Sequence, residues 1–309
     1  MQPSAIHLSV IFGALGPIFF VIGLGYVLRR SQFPGEAFWP AAEKLTYYLL
    51  FPALLVHRLA LADFSAYAVG PLVIVIVATL TSMTLLVFTL RAPLNADGPS
   101  FGSIYQGSIR FNTYVGLAAA LALFNGPGAT LAAMAIAILI PLVNVLSVAV
   151  LTHARGTFVW GSLPGALFRN PLILACVIGI GLNVGRIGLP LGSETVLDIL
   201  ARSALPLGLL AVGAALRLRV AFTRHRELLA SSILKLLVFP ALTYGFSRWV
   251  GLDSLEMAIL VLFAALPGAP SAYILARQLG GDADLMAAIV TLETGLSMIT
   301  LPIILLLMA

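Results

Sequence analysis

Residues 254–279 read SLEMAILVLFAALPGAPSAYILARQL, an apolar stretch with two prolines near its middle. A helix needs about 20 apolar residues to span a membrane, and this stretch is long enough. Pro267 and Pro270 each remove a backbone donor and clash with the preceding helical turn. In lipid, carbonyl groups that lose their partners must find others or face a polar cavity. The stretch therefore predicts a membrane span whose helix is broken halfway.

A second interrupted stretch precedes the first by about 155 residues. Residues 107–116 read GSIRFNTYVG, in which Asn112 and Thr113 stand between flanking glycines. Nearly the same offset relates other residues of the two halves of the chain. The pairs are Pro17 with Pro171, Gly23 with Gly179, Gly25 with Gly181, and Pro52 with Pro206. Repetition at a nearly constant offset predicts two copies of one structural unit.

The composition around these stretches is that of a protein in lipid. Of the 309 residues, 61% are hydrophobic and 9% are charged, whereas a soluble domain carries about 25% charged residues. The chain has room for about ten spans and for no large soluble domain. We place the spans at about 6–28, 38–60, 66–90, 100–124, 128–152, 170–188, 194–216, 227–249, 254–279 and 283–308.

The repeat divides the chain into residues 1–155 and 156–309, each with about five spans. An odd number of spans makes the second half enter the membrane from the opposite side. Inverted repeats of this kind are characteristic of secondary transporters. The predicted fold is therefore an all-α polytopic membrane protein with ten transmembrane helices in two inverted five-helix repeats, in which helices 4 and 9 are broken.

The basic residues of the loops are distributed unequally between the two sides of the membrane. One side has only Arg58, Arg186 and Arg248. The other side has Arg29, Arg30, Arg91, Arg155, Arg169, Arg217, Arg219, Arg224, Arg226 and Arg277. Because Lys and Arg accumulate in cytoplasmic loops, we expect both termini in the periplasm or outside the cell. The net charge of +5 reflects this topology, and no nucleic-acid partner is expected.

The two broken helices also predict a binding site. Paired breaks at corresponding positions are the best sequence indication of a substrate site near the middle of the membrane. The half-helices that follow the breaks present free N–H groups and a partial positive charge, which suit an anion. The alternative is a pair of kinks used only for packing. The residues predicted to bind substrate are Arg110, Asn112, Thr113, Tyr114, Pro267, Gly268, Pro270, Ser271 and Tyr273.

Charged residues inside the predicted spans need a reason, because each costs about 2.5–3.5 kcal/mol on insertion scales. Arg110 would pair with a substrate carboxylate, or else with an internal carboxylate or a backbone carbonyl. Glu293, with Thr291 and Thr294 beside it, would carry a coupling proton or help to bind sodium. The alternative role for Glu293 is an ion pair with Lys235 or Arg110. Lys235 itself is expected to snorkel towards the membrane surface.

Other polar residues have a structural interpretation. Asp198 and Arg202 lie four residues apart and predict a salt bridge on a helix surface. Glu43 and Lys44 lie near the start of span 2 and are expected at the membrane interface. Cys176 is the single cysteine, so neither a disulfide within the chain nor a metal site is expected.

Several of these stretches resemble one known family. Residues 266–282, LPGAPSAYILARQLGGD, are similar to the penultimate-helix signature of the auxin efflux carrier family of transporters. Residues 286–294, MAAIVTLET, continue the similarity, and residues 110–116, RFNTYVG, resemble the fourth-helix motif of that family. Pro52 and Pro206 stand where its second and seventh helices carry proline. Ser271 is a departure, since asparagine is common at that position.

The resemblance implies both an architecture and a function. It implies a scaffold domain of helices 1, 2, 6 and 7 and a transport domain of helices 3–5 and 8–10, with the broken helices crossing at the substrate. It also suggests kinship with bile-acid–sodium symporters. Relatives include plant exporters of auxin and bacterial carriers of malonate and other organic acids. We therefore expect a small organic anion as substrate, membrane lipid as surroundings, and a second copy of the chain as a candidate partner of the scaffold domain.

The function predicted from these features is secondary active transport by alternating access of the elevator type. An ion gradient or the membrane potential would drive it, and no cofactor is expected beyond a coupling proton or sodium ion. The chain has no His-Glu-x-x-His motif and no Walker motif, so an intramembrane enzyme is disfavoured and ATP drive within the chain is excluded. A channel-like facilitator remains the alternative, and it would give ion currents without saturable uptake.

Overall fold

The computed structural model describes residues 8–64, 67, 69–154, 170–190, 192–217 and 224–308, and within these ranges it is helical without any strand. The predicted boundary at residues 155 and 156 lies outside the described residues, as do Arg155, Arg169 and Arg219. The helices of the first half are α1 (Leu8–Arg30), α2 (Phe38–Leu45, a π-helical turn at Thr46–Leu50, and Phe51–Ala60), α3 (Val69–Leu90), α4 (Gly98–Ile109) and α5 (Thr113–Ala154).

The second half follows a similar order. Its helices are α6 (Pro171–Val184), α7 (Ser193–Ala215), α8 (His225–Ile233, a π-helical turn at Leu234–Val238, and Phe239–Val250), α9 (Ser254–Ala265), α10 (Ser271–Leu279) and α11 (Ala283–Met308). Both π-helical turns stand directly before a Phe-Pro pair, at Pro52 and Pro240. Proline cannot donate to the preceding turn, and this local widening accommodates it.

The helices are long and apolar enough for a polytopic membrane protein, as predicted. Among the described residues, six stretches satisfy length and hydropathy requirements for crossing a membrane. They are Ser9–Arg30, Val69–Leu90, Gly98–His153, Ser193–Ala215, His225–Val250 and Ala283–Met308. The helices α6 and α9 are apolar but shorter.

The long helix α5 is interrupted at Asn125, whose backbone has φ 55° and ψ −145°. A straight helix of 42 residues would be about 63 Å long, roughly twice the hydrocarbon thickness of a bilayer. Asparagine tolerates a positive φ better than most residues, and Pro127 follows two residues later. The interruption coincides with the gap predicted between spans 4 and 5.

The helices pack in two groups. In the first, α1 packs against α7, and α2 packs against both α6 and α7. The contact between α1 and α7 is close because glycine occupies it on both sides. A Cβ atom at Gly213 would overlap the carbonyl oxygen of Ile22, and one at Gly25 would overlap that of Leu210. A larger residue at either glycine would force the two backbones apart.

The second group contains the interrupted helices. In it, α8 packs against α3 and α9, α4 packs against α5 and α11, and α9 packs against α5. The two helices that precede the breaks are alike, since α4 and α9 have 12 residues each. Each begins at an aspartate N-cap: Asp97 accepts from the Ser100 N–H at 2.9 Å, and Asp253 accepts from the Glu256 N–H at 2.7 Å. This capping fixes where each helix starts.

Candidate functional site

The two helix breaks lie in direct contact. The first separates Ile109 at the end of α4 from Thr113 at the start of α5, and the second separates α9 from α10. The backbone N–H of Asn112 donates to the carbonyl oxygen of Pro267 at 2.8 Å. Arg110 and Leu266, the residues that end α4 and α9, both have extended backbones. For Leu266, the following proline explains this conformation.

Asn112 caps the half-helix that follows the first break. Its side-chain oxygen accepts from the Val115 N–H at 3.2 Å, and its carbonyl accepts from the Gly116 N–H at 2.9 Å. Asn112 is fully buried, and its side-chain nitrogen has no hydrogen-bond partner among the described residues. Buried amide donors nearly always find a partner, so this N–H₂ group is a candidate donor to a ligand or to water.

Arg110 is a half-buried cation between the two breaks. One terminal nitrogen of its guanidinium donates to Asn144 Oδ1 at 3.0 Å, and the other donates to Ser271 Oγ at 3.3 Å. Both partners are neutral, and no carboxylate of the described residues lies within 4.0 Å to form an ion pair. The internal salt bridge considered from the sequence is therefore not formed among the described residues.

A cavity of about 560 Å³ lies against Arg110 and Ser271. Its volume falls in the range of about 300–1,000 Å³ that is typical of small-molecule sites. Lys44 and Gln278 at its edge are exposed. Its remaining lining comes from α2, α5, α6 and α10 and consists of Pro40, Glu43, Tyr47, Tyr48, Asn144, Val145, Val148, Asn170, Pro171, Ile274 and Leu275.

Two smaller recesses share lining residues with this cavity, among them Tyr47 and Ser271. One, of about 40 Å³, is lined by Arg110, Thr113 and Ser271 among others. The other, of about 50 Å³, is lined by Asn112, Thr113, Tyr114, Pro270 and Ser271 among others. The structure thus brings six of the predicted substrate residues together around three cavities that share lining residues: Arg110, Asn112, Thr113, Tyr114, Pro270 and Ser271.

The other three predicted substrate residues do not line these cavities. Pro267 contributes its carbonyl oxygen to the bond with Asn112. Gly268 donates its backbone N–H to Glu293. The Tyr273 hydroxyl accepts from Arg217 at 3.2 Å, and the Arg217 guanidinium lies over the Tyr273 ring at 4.7 Å from its centroid. Tyr273 therefore faces the end of α7 and not the cavity.

Glu293 lies behind the second break and is fully buried. Its Oε2 accepts from the Gly268 N–H at 2.8 Å, and its Oε1 accepts from the Ser231 hydroxyl at 3.3 Å. The carboxyl group therefore joins the break to α8 and α11. The ion pairs with Lys235 or Arg110 that the sequence left open are not formed within 4.0 Å among the described residues.

The two threonines predicted to act with Glu293 form hydrogen bonds with other groups. Thr291 donates to the carbonyl oxygen of Ala287 at 2.8 Å and accepts from the Arg217 N–H at 3.0 Å. Thr294 donates to the carbonyl oxygen of Val290 at 2.7 Å. Neither hydroxyl is hydrogen-bonded to the Glu293 carboxyl group.

Lys235 does not snorkel, and that prediction was wrong. The side chain is fully buried, and its ammonium lies 4.4 Å from the centroid of the Phe239 ring. It has no hydrogen-bond partner among the described residues, although it is near enough to Glu293 for the two charges to interact. The reason is its position at the π-helical turn of α8, which packs against α4, α9 and α11. By contrast, the predicted bridge between Asp198 and Arg202 is present at 2.7 Å.

Sequence reasoning missed several residues of the cavity. Asn144 lies within α5, where nothing in the local sequence connects it with the breaks. Asn170 is recognisable as an N-cap before Pro171, since its side chain accepts from the N–H groups of Leu172 and Ile173. Tyr47 lines the cavity and both recesses. Its spacing of four residues from Glu43 was a signal that both side chains share one face of α2.

A short motif typical of serine hydrolases does not form a catalytic site within the described part of the chain. Residues 98–102, GPSFG, match the Gly-x-Ser-x-Gly pattern of those enzymes. The hydroxyl of Ser100, however, contacts Arg224 and Asp97 and no histidine of the described residues. The described residues also contain no cluster of three or more His, Cys, Asp or Glu that could hold a metal ion.

Comparison with known proteins gives a consistent result. A family model described as "Membrane transport protein" matches residues 150–305. A protein of Methanothermobacter thermautotrophicus named "Uncharacterized transporter" is 26% identical over 289 residues, covering 91% of this chain and 92% of that protein. A Rhizobium meliloti protein named "Putative malonate transporter" is 26% identical over 319 residues, covering 95% of this chain and 94% of that protein.

Proposed function

We propose that the cavity at Arg110 binds a small organic anion as the transported substrate, because the chain belongs to the auxin efflux carrier family of membrane transport proteins. Membership of this family makes the chain a multi-pass membrane transporter and not an enzyme. The observation that carries the proposal is the Arg110 guanidinium. It faces a cavity of suitable size, both of its hydrogen-bond partners are neutral, and no carboxylate of the described residues lies within 4.0 Å of it.

The site offers more than one positively polarised group to an anion. The half-helix α5 begins at Thr113 and α10 begins at Ser271, both beside Arg110. The partial positive charge of such helix starts attracts anions, while the N–H groups of Ala272 and Tyr273 already donate to the carbonyl oxygens of Ala269 and Pro270. The buried side-chain nitrogen of Asn112 adds a further donor. A carboxylate is the anion that guanidinium binds with two parallel hydrogen bonds.

We propose that transport proceeds by an elevator movement within ten transmembrane helices arranged as two inverted repeats. The helices α4 and α9 have the same length, the same type of N-cap and an extended residue at the C-terminal end. This similarity supports the repeat. The scaffold would consist of α1, α2, α6 and α7, and the transport domain of α3–α5 and α8–α11. The packing of α1 and α2 with α6 and α7 supports this division. The cavity lies between residues of both proposed domains, such as Tyr47 of α2 and Arg110 after α4.

Coupling to an ion is proposed at Glu293. Its buried carboxyl group binds the N–H of Gly268 in the same break that contributes Ser271 to the cavity. A change in the charge of Glu293 would therefore act directly on the backbone that shapes the site. A proton or a sodium ion would serve this role.

Orientation follows from the basic loops, and we expect both termini on the periplasmic or outer side of the inner membrane. The cavity is then open to the cytoplasm, since Lys44 near the start of α2 and Gln278 near the end of α10 form its exposed edge. A phosphatase fused to the C-terminus should be active, and a fluorescent protein fused there should be dark. A fluorescent C-terminus would contradict the orientation.

Transport itself should be measured with purified protein in proteoliposomes. A thermal-shift screen over monocarboxylates, dicarboxylates including malonate, and indole acids would select the ligand. We expect saturable counterflow of that ligand, which an excess of the unlabelled compound abolishes, and none in protein-free liposomes. Currents without saturable uptake would indicate a channel. A screen in which no carboxylate stabilises the protein would contradict the proposed substrate class.

A further inference from the structure

Among the described residues, three charged side chains line the cavity: Arg110, Glu43 and Lys44. Arg110 lies at its inner end beside the recesses, while Lys44 is exposed at its edge. Glu43 is half-buried and also lines the recess that contains Asn112 and Ser271. A negative charge in a site that is otherwise suited to an anion requires a physical reason.

The position of Glu43 relative to Arg110 is set by α2. Tyr47 lines the cavity and both recesses, and it lies close to Arg110. Glu43 lies one helical turn before Tyr47, on the same face of α2. Because Arg110, Tyr47 and Glu43 line the same cavity, we infer that a ligand whose carboxylate binds Arg110 extends past Tyr47 towards Glu43. Much of the surface beside that path is apolar, with Val145, Val148, Ile274 and Leu275.

The charge of Glu43 is not neutralised by an ion pair. No cation of the described residues lies within 4.0 Å of its carboxyl group. Arg29 is near enough to act on it electrostatically, but Arg29 binds Glu36 at 3.3 Å and the carbonyl oxygen of Ala214 at 2.7 Å. Lys44 follows Glu43 in sequence and so points about 100° further round the helix.

We propose that Glu43 is a specificity residue that excludes ligands with a second carboxylate, so that the site prefers monocarboxylates with an apolar body. Like charges brought together in a binding site suppress binding of the wrong partner. A discriminating site needs such a repulsive element as well as attractive contacts. The inference rests on the proposed carboxylate site at Arg110, and it adds the selection between one and two charges.

The test uses pairs of ligands that differ by one carboxylate: pentanoate with glutarate, benzoate with terephthalate, and phenylacetate with 4-carboxyphenylacetate. Affinities are measured by calorimetry on the full-length protein, and folding is checked by monodisperse elution. We expect the wild type to bind the better monocarboxylates at least about tenfold more tightly than their partners. In Glu43→Gln this ratio should fall below about threefold, chiefly because the dicarboxylate binds more tightly. The matched control Glu194→Gln, at an exposed residue in the first turn of α7 that lines none of these cavities, should leave the ratio within about twofold.

Two results would overturn the inference while leaving the proposed function intact. One is a ratio that does not change in a folded Glu43→Gln protein. The other is a wild type that prefers dicarboxylates and loses this preference in Lys44→Gln. The proposed function fails separately, together with this inference, if the wild type binds neither member of any pair or if Arg110→Ala binds both as tightly as the wild type.

Discussion

Replacing Arg110 with alanine is expected to weaken binding of a carboxylate ligand about tenfold to a hundredfold. A hydrogen bond to a charged group contributes about 1.5–3 kcal/mol net, and each 1.4 kcal/mol is about tenfold in affinity. The guanidinium has no internal carboxylate to lose, because its partners are Asn144 and Ser271. The loss therefore falls on the ligand and not on an ion pair of the protein. Calorimetry with the ligand selected in the thermal-shift screen measures it.

Two further variants make this result specific. Arg110→Lys should recover only part of the affinity, because an ammonium cannot reproduce the planar fork of guanidinium. Arg202→Ala is the matched control, since Arg202 pairs with Asp198 on the exposed surface of α7, and its affinity should equal that of the wild type. Wild-type affinity in a folded Arg110→Ala protein would remove Arg110 from the substrate site.

The positions of the helices and of both breaks could be predicted from the sequence because lipid makes the signals strong. Every unpaired backbone group in a bilayer is costly, so Pro267 and Pro270 predicted an interruption of the helix. The first break has no proline, and its prediction rested on Asn112 and on the offset of 155 residues from Pro267. The bond between these two residues in the structure shows why the offset was informative: the two breaks pack against each other.

The lining of the cavity could not be predicted in the same way. Asn144 accepts a hydrogen bond from Arg110 although the two residues are 34 positions apart, and a local sequence pattern cannot predict a contact over that separation. Glu43 and Lys44 were assigned to the membrane interface from the sequence, and that both also line the cavity was not predicted. Lys235 was assigned to the surface by its distance from a helix end, whereas tertiary packing of α8 buries it. Whether a polar side chain is buried depends on its neighbours in the folded structure, and the spacing of residues in the sequence does not identify those neighbours.

Glu293→Gln is expected to abolish the dependence of uptake on the coupling ion while leaving ligand affinity within about threefold of the wild type. The glutamine oxygen can still accept the Gly268 N–H that Glu293 accepts at 2.8 Å, so the second break keeps its shape. A glutamine cannot take up or release a proton, and it has no charge to attract sodium. In proteoliposomes under a pH or sodium gradient, accumulation should fall to the level set by the membrane potential, while counterflow without a gradient continues.

A structural role for Glu293 would give a different pattern, because it would lower counterflow and accumulation together. Ser297→Ala is the matched control, since Ser297 is buried one turn further along α11 and donates to the carbonyl oxygen of Thr294 at 2.8 Å. It should retain the ion dependence of the wild type. Unchanged ion dependence in Glu293→Gln would assign the carboxyl group to holding the break alone. Coupling would then have to arise elsewhere, and Lys235, the other buried charge near this group, would be the next residue to replace.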